Sequence, residues 1–339
     1  MAKIIIAMSG GVDSSVAAYL LKKQNHDVIG VFMRNWDSLL NNDILGNPEI
    51  DQDKCNAEKD YEDAKHIANL LNIELHRIDF VKEYYELVFK DFLNDFKLGL
   101  TPNPDIWCNK YIKFDLLIKL IEKKFPDYNF LATGHYARVE NNLLLTAFDD
   151  SKDQTYFLAQ INKNILSKVI FPIGQLKKTK VREIAQAQNF INAKKKDSVG
   201  ICFVGERKFA KFLSNYIENK PGDIINIRTN EKIGNHNGCF YYTLGQRRGF
   251  GLNGLNKPFY IVKKDLQKNI IYVDDDKNSE YLMSNVAILN NINWLVDDYK
   301  NYKNIQVRFR YQANLVNVKE IIEQNSFFLK IIYDKQSLV

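Results

Sequence analysis

A chain of 339 residues is longer than one ordinary domain and suits two or three. With 45% hydrophobic residues it has a globular composition, and no apolar run is long enough to span a bilayer, so membrane function is excluded. The net charge of +6 is unevenly spread: residues 1–204 hold 27 Lys/Arg against 27 Asp/Glu and residues 205–339 hold 20 against 14. The whole excess lies C-terminal, which points to a polyanionic partner there or to a lysine-rich solvated surface.

The first apolar run, Lys3-Ile4-Ile5-Ile6-Ala7-Met8, reads as a strand, so no signal peptide is expected. It is followed by Ser9-Gly10-Gly11-Val12-Asp13-Ser14-Ser15 and then by a helical pattern from Val16. Two adjacent glycines let an anion approach the main chain, and a helix N-terminus favours negative charge. No lysine falls within the loop, so it is not a Walker loop, whose lysine reaches the β/γ-phosphates. The string is instead the signature of PP-loop ATP pyrophosphatases, which cleave ATP between its α- and β-phosphates.

Asp27–Met33 reads as a second strand, and the polar stretch from Arg34 to Asn56 as a long functional loop. A helix over 57–71, a strand over 73–78 and a helix over 81–98 follow. Pro102 and Pro104 then stiffen a loop that sets Cys108 just before a helix over 110–124. A thiol at a helix N-terminus is biased toward thiolate, although most lone cysteines are small buried apolar residues. Phe130–Arg138 reads as a buried strand with a glycine turn, which brings Gly134 and His135 to the ligand side of a parallel sheet. His135 reads as a ligand contact, an acid/base group or a histidine hydrogen-bonded within the turn. Asn141-Asn142 marks a hairpin. A helix is expected from Phe171 to Gln188, and Lys194-Lys195-Lys196 precedes Cys202 as a polyanion contact or a solvated run. A short helix over 209–219 leads into turn-rich, alternating sequence that suggests a small antiparallel barrel. The four cysteines (Cys55, Cys108, Cys202, Cys239) form no zinc pattern, and a reducing cytoplasm is expected.

The ordered motifs make a larger match. Ser9–Ser15, Phe32-Met33-Arg34-Asn35-Trp36, Asn103-Pro104-Asp105 with Cys108-Asn109, Gly134-His135-Tyr136-Ala137-Arg138, Lys152-Asp153-Gln154, Gly200-Ile201-Cys202-Phe203 and Tyr241–Gly249 occur in sequence. Over nearly its whole length the chain resembles the bacterial tRNA-specific 2-thiouridylases, MnmA-type PP-loop sulfurtransferases. The resemblance implies an α/β protein with an N-terminal PP-loop (adenine nucleotide alpha hydrolase-like) parallel-sheet domain over 1–204. A small central tRNA-binding domain over 205–280 and a C-terminal antiparallel β-barrel over 281–339 complete it. Family members usually continue past the region matching Tyr333–Val339, so either a truncated barrel or one that closes differently is expected.

By the same resemblance Ala7, Met8, Ser9, Gly10, Gly11, Val12, Asp13, Ser14, Met33 and Gly134 look like the ATP site, with Mg²⁺ expected and Asp13 as its ligand. Asn103, Pro104 and Asp105 look like the segment that meets the target base. His135, Lys152, Asp153, Gln154, Arg310 and Tyr311 look like tRNA contacts. Cys108 is similar to the family's nucleophile and Cys202 to its persulfide carrier, which implies a transient Cys108–Cys202 disulfide. The implied reaction is ATP-dependent 2-thiolation of the tRNA wobble uridine, with sulfur from a persulfide donor protein and the enzyme a monomer. Two other readings are another PP-loop tRNA-modifying or synthetase enzyme, and a non-catalytic RNA-binding relative.

Overall fold

The computed structural model describes residues 1–48, 55–197, 200, 204, 207–252, 257–325 and 328–337. Backbone contacts divide the chain into two units that interleave along the sequence. Unit 1 comprises Met1–Lys90, Asn103–Phe212 and Asn293–Asp297; unit 2 comprises Asp91–Pro102, Leu213–Ile292 and Asp298–Val339.

Unit 1 is built on a five-stranded parallel sheet. It contains β1 (Lys3–Ala7), β2 (Asp27–Arg34), β3 (Glu74–Asp79), β4 (Phe130–Thr133) and, beyond a short hairpin of β5 (Ala137–Glu140) and β6 (Leu143–Thr146), β7 (Val169–Ile170). The order is β3-β2-β1-β4-β7, so the direction of winding reverses between β1 and β4. Open α/β sheets bind ligands at that reversal, outside the carboxyl ends of the strands. Ile4, Ile5 and Ile6 are all buried, as expected of a central parallel strand covered on both faces. One face packs on α1 (Val12–Lys23) and α2 (Asn56–Leu70), where Ala17, Ala18, Ala64 and Ala68 keep the helices close to Ile4, Ile6 and Phe32.

Two helical runs follow the third strand. In the first, α3 (Val81–Tyr84) continues through the π-helical Tyr85–Phe89 into α4 (Lys90–Lys97). In the second, α5 (Pro104–Trp107) continues through the π-helical Cys108–Leu116 into α6 (Leu117–Lys124). The second therefore starts earlier than its sequence suggests. Proline is tolerated in the first turn, where its missing N–H would have had no intrahelical acceptor. Three other elements are shorter than read: α7 covers Lys178–Ala187, α8 covers Phe209–Leu213, and the strand read at Phe130 stops at Thr133 before Gly134. Asn141 and Asn142, with φ of 51° and 60°, turn β5 into β6 as the hairpin signal predicts.

Unit 2 holds two sheets. One contains β8 (Gly222–Asn226), β9 (Lys232–His236), β10 (Tyr260–Asp265) and β11 (Ile270–Asp274) in the order β10-β11-β8-β9, with β11 and β8 parallel. The other contains β12 (Met283–Asn290), β13 (Gln306–Val307), β14 (Val316–Asn325) and β15 (Phe328–Ser337), all antiparallel, around Val316, Ile331 and Tyr333. Pairing ends at β12 and β13, so this sheet is an open half-barrel. Among the described residues no helix is long and apolar enough to cross a membrane.

Candidate functional site

The glycine loop lies at the sheet reversal, and its underside is fully held. Gly10 has φ of +75°, and a Cβ there would lie 2.2 Å from the carbonyl oxygen of Asp60, so only glycine fits. The Gly10 carbonyl accepts from Asn192 Nδ2 at 3.0 Å and from Lys195 Nζ at 3.3 Å. Lys195 is also paired with Asp60 and Asp63 at 2.6 Å each. Ser14 and Ser15 both donate their hydroxyls to the Gly11 carbonyl at 3.0 Å, while the Ser9 N–H donates to Ser14 Oγ at 3.2 Å. The first N–H groups of α1, before Ser15, have no intrahelical acceptor. That is an anion cradle, and it suits a polyphosphate.

Met8 extends β1, its N–H donating to the Val31 carbonyl at 2.9 Å, and Met33 lies buried near the end of the neighbouring β2. Across the reversal a Cβ on Gly134 would stand 2.7 Å from the Ser14 nitrogen. The structure thus brings Ala7, Met8, Ser9, Gly10, Gly11, Val12, Asp13, Ser14, Met33 and Gly134 to one end of one sheet.

Asp13 differs from the expectation of a metal ligand. Its Oδ1 and Oδ2 accept from Lys178 Nζ at 2.8 and 2.7 Å, and Oδ1 also accepts from the Tyr136 hydroxyl at 2.9 Å. Burial and the Asp13 charge push the Tyr136 phenol far up, so it stays a donor. No group of three His, Cys, Asp or Glu side chains suited to a metal occurs among the described residues. The residues at the loop are arranged around an ammonium at Asp13.

Cys108 is fully buried at the point where α5 widens into the π-helix, one turn inside the helical run rather than just before it. Asn103 caps that run by accepting from the Asp105 N–H at 3.1 Å, Pro104 is buried at its first turn, and Asn109 Nδ2 donates to the Asp105 carbonyl at 2.9 Å. Further along the run Phe114 packs on the His135 ring at 6.0 Å, with Phe171 at the same distance on His135. Burial, and then the nearby Lys113 charge, hold the His135 imidazole well below its ordinary pKa. His135 is therefore neutral, sharing a 2.7 Å hydrogen bond with Thr133.

The Lys152-Asp153-Gln154 segment is bound to its own chain. Asp153 is buried and accepts from the Ala147 N–H and the Thr155 hydroxyl at 3.0 and 2.8 Å. Gln154 exchanges two 2.9 Å bonds with the backbone of Tyr136, and Lys152 pairs with Asp197 at 2.8 Å. Arg310 and Tyr311 belong to unit 2, where Arg310 donates to the Leu244 carbonyl at 3.3 Å. Cys202 lies outside the described residues.

Residues 2–206 match the family model described as tRNA methyl transferase HUP domain, and residues 210–275 the one described as tRNA methyl transferase PRC-barrel domain. The protein named tRNA-specific 2-thiouridylase MnmA in Mycoplasmopsis synoviae is 51% identical over 99% of this chain and 89% of its own length. Its namesake in Mesoplasma florum is 52% identical over 98% of this chain and 91% of its own. The chain belongs to the MnmA family of tRNA-specific 2-thiouridylases. Among solved structures, the U34-tRNA thiolase NcsA of Methanococcus maripaludis aligns with 60% of this chain and 63% of its own at 22% identity. Its TM-score of 0.36 is too low to carry weight.

Within that family frame, the site contains residues to which sequence reasoning gave no role: Lys178, Asp197, Tyr136 and Asn192. Asp197 is shared by Lys152, Lys178 and Arg182 at 2.8 to 2.9 Å. Burial opposes its charge, but the Lys152 and Lys178 ammonium groups prevail and lower its pKa to about 2. Lys195, read as part of a polyanion contact or a solvated run, holds the loop to α2.

Proposed function

We propose that this chain thiolates C2 of the anticodon wobble uridine of tRNA, yielding 2-thiouridine, AMP and pyrophosphate. The observation that supports this most is half identity, along nearly the whole chain, to proteins named for that reaction. The lysine-free cradle at the sheet reversal agrees with it. The family models' description speaks of methyl transfer, which would leave both a pyrophosphate cradle and a pair of cysteines without a use.

A carbonyl oxygen is a poor leaving group; ATP supplies the AMP group that makes it a good one. The loop from Ser9 to Ser14 holds the pyrophosphate portion on the first N–H groups of α1, and Met33 and Gly134 border the nucleotide. Asn103, Pro104 and Asp105 receive the uracil once it leaves the anticodon stack. Cys202 carries the sulfur as a persulfide taken from a donor protein in the cytoplasm. Its terminal sulfur attacks C2 and displaces AMP, after which the Cys108 thiolate attacks Cys202 Sγ and releases the 2-thiouridine; or the Cys108 thiolate attacks Cys202 Sγ first and frees the sulfur as hydrosulfide, which then attacks C2 and displaces AMP. Either route leaves a Cys108–Cys202 disulfide, which an external thiol reductant reopens. His135, Lys152, Arg310 and Tyr311 contact tRNA, His135 as a neutral hydrogen-bonding group. Asp153 and Gln154 position the turn that carries His135.

The test incubates the full chain with ATP, a wobble-uridine tRNA and a protein persulfide, followed by nucleoside mass spectrometry. Expected are 2-thiouridine and AMP in equal amounts, and no 2-thiouridine from Cys108→Ser or Cys202→Ser. Release of ADP and phosphate, or thiolation by Cys108→Ser without free sulfide, overturns this mechanism.

A further inference from the structure

A loop that takes polyphosphate without a lysine of its own must find positive charge elsewhere. The helix N-terminus offers about half an elementary charge, well below what a departing pyrophosphate carries. In unit 1 the ammonium nearest the loop's acidic residue is Lys178, which opens α7 and is 165 residues from Asp13 in sequence.

Lys178 is built in firmly. Its side chain is only 10% exposed, and its own N–H donates to Asp149 Oδ2 at 2.8 Å, fixing the first turn of α7. Its Nζ lies 2.8 and 2.7 Å from the two Asp13 oxygens, 2.8 Å from Asp197 Oδ1, and 5.6 Å from the centre of the Tyr136 ring. Asp197 has Lys152 and Arg182 as further partners, so it does not depend on Lys178 for neutralisation. Asp13 takes Lys178 through both oxygens where one would suffice. The ammonium can therefore turn one hydrogen toward an anion on the first turn of α1 while keeping both carboxylates.

We propose that Lys178 is a catalytic residue of ATP cleavage, the cation that the loop lacks, delivered from α7. This rests on the ATP reading above. Its ammonium binds the pyrophosphate portion as uracil O2 bonds to the α-phosphorus. The bond from that phosphorus to the bridging oxygen breaks, and the electron pair leaves on pyrophosphate. Asp13 and Asp197 are positioning residues that hold Lys178 on the loop side of α7.

The test is calorimetric titration of the full chain with inorganic pyrophosphate, with AMP and with ATP. Lys178→Met is expected to weaken pyrophosphate roughly tenfold or more, the size of a lost charge-assisted bond, and to leave AMP within about twofold. Lys178→Arg should recover part of the loss. Because Lys178→Met leaves the Asp13 carboxylate without its ammonium, Lys178→Met with Asp13→Asn is measured as well, with the same selective loss expected. Undiminished pyrophosphate binding by these variants, beside a wild type that binds it, overturns the assignment alone. Equal loss of pyrophosphate and AMP in the balanced double variant assigns Lys178 to the fold and overturns it too. A wild type that binds neither pyrophosphate nor ATP overturns the nucleotide reading and this assignment with it.

Discussion

Lys178 in unit 1 and Lys264 in unit 2 are both lysines drawn out of water, and the chain partners them differently. Lys178 sits between the carboxylates of Asp13 and Asp197. Lys264 donates instead to two carbonyls, Gly99 at 2.6 Å and Tyr242 at 2.7 Å, and burial lowers its pKa. Carboxylates keep an ammonium as a charge that an arriving anion can compete for. Carbonyls offer no charge to exchange, so Lys264 serves as a clamp that ties the 91–102 segment into unit 2. The contrast extends beyond the pair. Unit 1 buries Arg207 against Asp43 at 3.0 Å and pairs Lys195 with two aspartates. Unit 2 satisfies its interior mainly through neutral groups. His236 takes the Gly238 N–H on Nδ1 and so donates from Nε2 to the Asn269 carbonyl, and Tyr241 donates to the Ile217 carbonyl at 2.6 Å. Among the described residues of unit 2, Asp274, buried beneath Arg228 at 2.8 Å, is the exception.

The sharpest way to break the comparison is to remove one half of the buried ion pair. Asp43→Ala removes a buried carboxylate from the enclosed Arg207 guanidinium, at an expected cost of up to about 3–5 kcal/mol. Trp36, Trp107 and Trp294 all belong to unit 1, so tryptophan fluorescence during urea unfolding reports that unit. A loss below about 1 kcal/mol would mean the pair is not enclosed as the geometry indicates. Lys264→Met should cost less, about 1–3 kcal/mol, since it strands carbonyls rather than a charge. Amide exchange over Asp91–Pro102 is expected to quicken, and unchanged exchange there would remove the clamp.

The smallest effect is on pH. The Asp197 pKa of about 2 lies below its ordinary 3.8, so its contribution is complete above the ordinary value and is lost as pH falls through about 2. Asp197→Asn should therefore be less stable than wild type at pH 7 by about 1 kcal/mol, reduced for its solvent exposure, and the gap should close between pH 4 and pH 2. A gap that is constant with pH would assign the loss to packing.

The parallel sheet and its cradle were legible because their signals are local: an apolar strand, two glycines, then a helix. The same locality hid Lys178. It stands among Lys177 and Lys180 with nothing in its neighbourhood to separate it from a surface lysine, and the residues that claim it come from α1 and from Asp197. The role of Lys195 in holding the loop was hidden for the same reason, since its partners Asp60 and Asp63 are more than a hundred residues away. The early start of the Cys108 helix was hidden by Pro104, which interrupts a helix interior but is accommodated in a first turn capped by Asn103. In unit 2 the alternating sequence forms the hairpin of β10 and β11, whereas the alternation over Ile305–Tyr311 pairs only at Gln306–Val307. Alternation there marks residues facing two environments without fixing how many of them pair.

The interleaving of the units bears on synthesis. Residues emerge from a ribosome in order, at about 5–20 per second, and domains generally fold as units. All five strands of the parallel sheet have been made by Ile170, so the cradle can assemble early. The last five residues of unit 1, Asn293–Asp297, arrive much later, bringing Asn293 to the Ala159 and Ile161 carbonyls and Asp297 to Lys163. Asp91–Pro102 waits in the opposite sense, made early but without Lys264 and Tyr242 to hold it until the hairpin beyond Tyr260 exists. A nascent chain halted near residue 250 would therefore carry a formed cradle beside an undocked 91–102 segment, and protease should cut that segment in arrested chains and spare it in finished ones.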